Sequence, residues 1–170
     1  MTNPRQAAKI KQKYMDIRNS LWGHIATERL WHRKTNVGFV TIPKTMPLIM
    51  QIMNDMSPGK PVSQTYFTLW CHTWDQSMVE IQNTMPFAFE SGFTGKRAES
   101  TWKGRMKILS NLKFIDIKPA QYGEFSYILI WNPHKVLKKY YDNGKIIRPQ
   151  YYTALMELAN RIGAGKDFSD

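Results

Sequence analysis

The chain of 170 residues has a single cysteine, Cys71. One thiol excludes an internal disulfide and is too few for a structural zinc centre, which makes a reducing cytoplasm the expected location. No run of 18 apolar residues occurs, so no membrane span is expected. The opening MTNPRQAAKIKQKY lacks an apolar stretch behind its basic residues, unlike a secretion signal. Phosphate-loop and nucleophile-elbow motifs are both missing: Gly92-Phe93-Thr94-Gly95-Lys96-Arg97 has the wrong spacing and no hydroxyl after its lysine. The histidines His24, His32, His72 and His134 are scattered, and the adjacent Cys71 and His72 point to different faces of any helix. These absences leave no catalytic constellation, no metal site, no cofactor and no small-molecule ligand to expect.

Acidic residues are scarce as well. Thirteen Asp and Glu face 24 Lys and Arg, a net charge of +11, and such an excess points to a polyanionic partner, nucleic acid first. The excess is clustered. Residues 1–34 hold eight cations against two acids and residues 95–118 hold seven against two, whereas residues 35–94 hold two against four. Two basic blocks therefore flank a nearly neutral apolar body, the pattern of a charged binding surface on a folded domain.

Hydrophobic spacing and stop signals give the coarse order of elements. Pro4, just after Thr2 and Asn3, starts a helix running to about Ile25, with Ala8, Ile10, Tyr14, Ile17 and Leu21 as an apolar stripe and Arg5, Lys9, Lys13 and Arg18 opposite. That stripe has two readings, dimerisation or packing on the rest of the chain, and Arg5, Lys9 and Lys13 are candidates for secondary phosphate contacts. Residues 26–37 read as a linker and Gly38–Pro43 as a short extended piece. Met46–Met56 is a Met-rich core helix. Ser63 caps a helix to about Trp74, and Met78–Gln82 alternates like a strand. Asn83 caps a short helix ended by Ser91-Gly92, and a longer helix spans about Gly95 to Leu112. Phe114–Ile117 and Phe125–Trp131 are strands separated by a Pro119–Gly123 loop. Asn132-Pro133 starts a helix ending near Gly144, and Pro149–Ile162 is the last. The expected division is a basic helix and linker at 1–37, a folded domain at 38–131, and a helical extension at 132–170.

The long helix is the informative one. At 100° per residue, Trp102, Leu109 and Leu112 lie within about 40° of Ala98 and Met106 within about 80°, which makes one buried face. Lys96, Ser100, Lys103, Gly104, Lys107 and Asn111 fall on the opposite half, with Arg97 and Thr101 flanking it. That outer half carries three ammonium groups, no carboxylate, and a glycine that lets a backbone come close. Arg105 falls inside the apolar arc and reads as a structural arginine.

AFESGFTGKRAESTWKGRMKILSNLKFIDIKP followed by AQYGEFSYILIW resembles the short helix, turn, recognition helix and two-stranded wing of the winged helix-turn-helix family, over about residues 62–131. Two departures stand out: Lys113 occupies a position usually held by glycine, and the stretch from Gly92 to Trp102 is a few residues long for the family. The resemblance implies a mainly α, α+β fold with a small antiparallel wing. It also implies that double-stranded DNA is the partner, with the recognition helix in the major groove. On that reading Arg97 pairs with a guanine, Ser100 and Thr101 touch base or phosphate, Lys103 and Lys107 touch phosphate, and Gly104 allows close approach. The wing brings Lys118, Gln121 and Tyr122 to a neighbouring groove or backbone.

One recognition helix reads few base pairs, so a homodimer is expected. GFVTIP ahead of the helical pair also resembles, more loosely, small DNA-binding proteins of plasmids and phages. A non-enzymatic role in transcriptional control, replication or partition follows from that resemblance. The rival readings are a winged helix used for protein–protein assembly and a single-strand or RNA binder that uses the many aromatic residues as stacking platforms.

Overall fold

Three of the helices start where a local asparagine cap places them. In the computed structural model, which describes residues 3–26 and 29–168, the side chain of Asn3 accepts from the Arg5 amide, that of Asn83 from the Met85 amide, and that of Asn132 from the His134 amide. Each cap satisfies an amide that has no partner within its helix. The helices so begun are α1 (Pro4–Trp22), α4 (Thr84–Glu90) and α6 (Pro133–Asp142). The others are α2 (Met46–Asp55), α3 (Ser63–Cys71), α5 (Ala98–Asn111) and α7 (Pro149–Arg161), with a 3-10 turn at Gly165–Phe168. The strands β1 (Met78–Glu80), β2 (Ile115–Ala120) and β3 (Gly123–Ile130) form one antiparallel sheet in the order β1-β3-β2. The fold is thus α+β and mainly helical, as expected.

The chain divides into two units, Met1–Phe39 and Val40–Asp170. In the first, α1 has no buried residue and its stripe of Ile10, Tyr14, Ile17 and Leu21 is exposed. Arg5, Lys9 and Lys13 are exposed on the same helix. Trp31 and Phe39 meet edge to face with ring centroids 6.0 Å apart.

The second unit has one core. Trp102, Met106 and Leu109 of α5 are fully buried with Tyr66 and Leu69 of α3, Phe114, and Ile128 of β3. The same cluster continues through Ile49, Ile52 and Met53 of α2 to Leu137 of α6 and to Tyr152, Leu155 and Ala159 of α7. The helices of the expected extension belong to this core, because α2 packs against both α6 and α7. Buried His134 ties them further: its Nε2 lies 2.7 Å from the Thr45 hydroxyl, at the foot of α2.

Several boundaries differ from expectation. Residues 38–43 join no strand of the sheet, although the Trp70 indole donates to the Thr41 carbonyl at 2.9 Å. α3 ends at Cys71, and its cap is not Ser63: Asn54 of α2 accepts from both the Val62 and Ser63 amides (2.9 and 3.0 Å) and donates to the Ser63 hydroxyl. The cap comes from another helix, so spacing within the segment could not disclose it. α5 begins three residues later than expected, after a turn at residues 95–97. The Pro119–Gly123 loop shrinks to two residues, because Ala120 pairs with Gly123. Pro119 is accommodated on the edge strand β2, where the register shifts between Lys118 and Ala120 and no amide is needed.

Lys113, the residue standing where the resemblance leads one to expect glycine, has φ +65°. The Phe114 amide donates to the Leu109 carbonyl and the Lys113 amide to that of Ser110, the paired bonds of a Schellman helix end. A side chain at that left-handed position costs about 1 kcal/mol or more relative to glycine.

Candidate nucleic-acid interface

The 91–97 turn, α5 and the β2–β3 hairpin carry most of the expected residues, and α5 packs against both α4 and β2. The α5 wheel holds over most of its length: Ala98, Trp102, Met106 and Leu109 are buried, though Leu112 at the helix end is only half-buried, while Ser100, Lys107 and Asn111 are exposed and Thr101, Lys103 and Gly104 half-exposed. Lys96 and Arg97 are exposed, but in the turn before the helix rather than on its first coil. Arg97 is the residue that leads into α5, and its carbonyl accepts from the Ser100 hydroxyl at 3.0 Å. Arg105 behaves structurally, its Nε donating to the Pro61 carbonyl (3.0 Å) and its guanidinium resting 5.7 Å from the Phe93 ring centre.

The outer face of α5 has no carboxylate of its own, but its lysines and that of the wing are partnered from beside it. Lys103 pairs with Glu99 at 2.7 Å, Lys107 with Glu124 at 3.3 Å, and Lys118 with Asp116 at 3.2 Å. The first pair follows from i,i+4 spacing on α5, and the third from i,i+2 spacing on β2, which puts both side chains on one face. The second needs the hairpin to fold back, since Glu124 lies on β3. Lys103 and Lys107 nonetheless keep 42 % and 58 % of their side-chain surface open to solvent. Exposed pairs of this kind are worth at most ~1 kcal/mol and exchange readily for a phosphate. Among the described residues neither Lys96 nor Arg97 has an ion-pair partner.

Glu99 does more than neutralise Lys103. The Thr84 hydroxyl at the start of α4 donates to it at 2.6 Å, so one carboxylate joins the two helices. The hydrogen bond from Lys103, and then that from Thr84, hold its carboxyl below the ordinary glutamate range.

The hairpin tip is set by Ser126, which no local spacing signal marks. The Ser126 hydroxyl donates to the Gly123 carbonyl (2.8 Å) and accepts from the amides of Ala120 and Tyr122 (3.2 and 3.1 Å). A buried hydroxyl with three backbone partners fixes the turn that presents Gln121 and Tyr122. Gln121 also donates to the Tyr127 hydroxyl at 3.3 Å. Outside its chain neighbours and the backbone of its own helix, Gly104 has no atom within 4 Å of where a Cβ would stand, so packing against the rest of the protein does not call for glycine there.

Other chemistry does not gather around this face. His72 reaches Glu90 at 2.6 Å, and the exposed Cys71 thiol is pushed up by partial burial and by the Glu90 charge, the reverse of an activated nucleophile. Among the described residues no group of three or more His, Cys, Asp or Glu is placed to hold a metal, and no helix is long and apolar enough to cross a membrane. No family model, curated protein or solved structure matches the chain.

Proposed function

We propose that this protein is a non-enzymatic, sequence-specific binder of double-stranded DNA, built as a winged helix and working as a homodimer in transcriptional control or in plasmid or phage replication or partition. The element order α3–β1–α4–α5–β2–β3 and the sheet order β1-β3-β2 support the winged-helix reading. The observation that carries it is the amino-terminal end of α5: exposed Lys96 and Arg97 without carboxylate partners among the described residues, beside a helix face with a glycine that internal packing does not require. An α-helix fits the major groove, where its leading residues meet base edges, and an arginine gives guanine two hydrogen bonds. Lys103 and Lys107 behind it position the duplex through phosphate.

Fluorescence anisotropy with labelled duplex across a salt series tests this. About six neutralised phosphates predict a ~10³-fold loss of affinity between 50 and 200 mM salt. Selection from random duplexes yields a defined site, a palindromic one for the dimer. A chain that does not bind duplex, or binds it with no preference among sequences, overturns the proposal.

A further inference from the structure

The lysines without carboxylate partners are not all at the leading end of α5. A hollow of about 440 Å³ lies between the carboxyl end of α5, the base of the hairpin and α6, and is lined by Lys113, Lys135 and Lys139 with Ser110, Asp116 and Trp131. A second hollow of about 210 Å³ shares Lys113 and Lys139 and adds Lys145. On the other side Ser110 also lines the groove between α5 and β2 that holds Lys107. The first two, which share Lys113 and Lys139, make one track.

Among the described residues none of Lys113, Lys135, Lys139 and Lys145 has an ion pair, in contrast to Lys103, Lys107 and Lys118. The one acid lining the first two hollows, Asp116, pairs with Lys118 through Oδ2 and accepts from the Ile117 amide at Oδ1. A concave surface with several uncompensated cations concentrates positive potential. Lys135 and Lys139 are neighbours on one face of α6. Lys113 lines the same hollow from a backbone conformation that glycine would adopt without strain, and strain of that kind collects at binding sites.

Trp131 decides the form of the polyanion. It lines the same hollow with 47 % of its surface exposed. A duplex keeps its base faces stacked inside, whereas a single strand offers phosphates to lysines and a base face to an indole at once. α5 is ~20 Å long at 1.5 Å per residue, which sets this hollow at the opposite end of the helix from Arg97. We infer that the hollow formed by Lys113, Trp131, Lys135 and Lys139 is a single-stranded DNA site, separate from the duplex-reading end of α5.

Anisotropy with labelled oligo-dT on the full chain tests this, with oligo-rU, a duplex and polyglutamate as competitors. Lys135→Ala with Lys139→Ala lowers oligo-dT affinity about tenfold or more, and Trp131→Ala does so by ~5–150-fold while Trp131→Phe keeps most of it. Lys113→Gly raises the melting temperature by about 2–4 °C while weakening oligo-dT. Duplex affinity stays at the wild-type value in all four, so this site and the duplex site fail independently. The inference is overturned if the paired lysine variant or Trp131→Ala binds oligo-dT like wild type, or if oligo-rU or polyglutamate binds more tightly than oligo-dT.

Discussion

The ammonium of Lys107 on α5 stands 3.3 Å from the carboxylate of Glu124 on β3, so the hairpin supplies its own counter-charge to the helix face proposed to meet DNA. A phosphate arriving there displaces a carboxylate rather than water. Such a pair lowers non-specific attraction to any polyanion while leaving contacts with base edges untouched.

Glu124→Gln therefore raises affinity for every duplex several-fold and steepens the salt dependence by about 0.9 per phosphate gained. Stability moves by less than ~1 kcal/mol, because the pair is exposed. Unchanged affinity and an unchanged salt slope would place Lys107 outside the interface.

Arg97 and the paired lysines have separable effects. Arg97→Ala costs ~1–3 kcal/mol at one base position and relaxes preference there. Lys103→Ala with Lys107→Ala weakens all duplexes alike, since an ammonium contributes charge but little geometry. Binding measured against a panel of single-base variants of the selected site distinguishes them, and an Arg97 variant with intact preference would remove Arg97 from base reading.

Gly104 sits mid-helix in α5 with open space where a Cβ would go. Gly104→Ala stabilises the fold by about 1 kcal/mol, the ordinary helix-propensity gain, and weakens duplex binding by crowding the approaching backbone. Chemical denaturation and anisotropy on the same preparation measure both; a stabilised variant with wild-type binding would show that no ligand backbone comes near this residue.

His134 makes stability depend on pH. Burial, partly opposed by the Asp167 charge, lowers its pKa from the ordinary 6.5. Its neutral ring bridges the Thr45 hydroxyl at 2.7 Å and the Asn132 side chain at 3.3 Å. A folded-state pKa below the unfolded one gives stability that is complete above about pH 6.5 and is lost as pH falls through the folded value. The melting temperature accordingly drops below pH 6.5. His134→Leu melts lower at neutral pH, because Thr45 loses its partner, but falls less steeply on acidification. Parallel curves for the two proteins would assign the acid sensitivity to other groups.

What could be read from the amino-acid order alone was whatever depends on residues a few places apart. The caps at Asn3, Asn83 and Asn132, the buried face of α5 and the stop at Gly92 are of this kind, and so is the i,i+4 pair of Glu99 and Lys103. The sheet's short strands were recognisable from β-branched and aromatic runs, but not the two-residue turn, which depends on Ser126 reaching back to three backbone groups.

The amino-acid sequence by itself determined the kind and order of the elements, the basic excess and which side of α5 faces inward, because helix periodicity and capping are local. Tertiary structure alone decided which cations are neutralised and which are not. Glu124 meets Lys107 only after the hairpin closes, Asn54 caps α3 only after two helices pack, and the hollow of Lys113, Trp131, Lys135 and Lys139 exists only because the fold sets α6 beside the end of α5. Coulomb attraction and burial act through space, and separation along the chain does not predict separation in the folded protein.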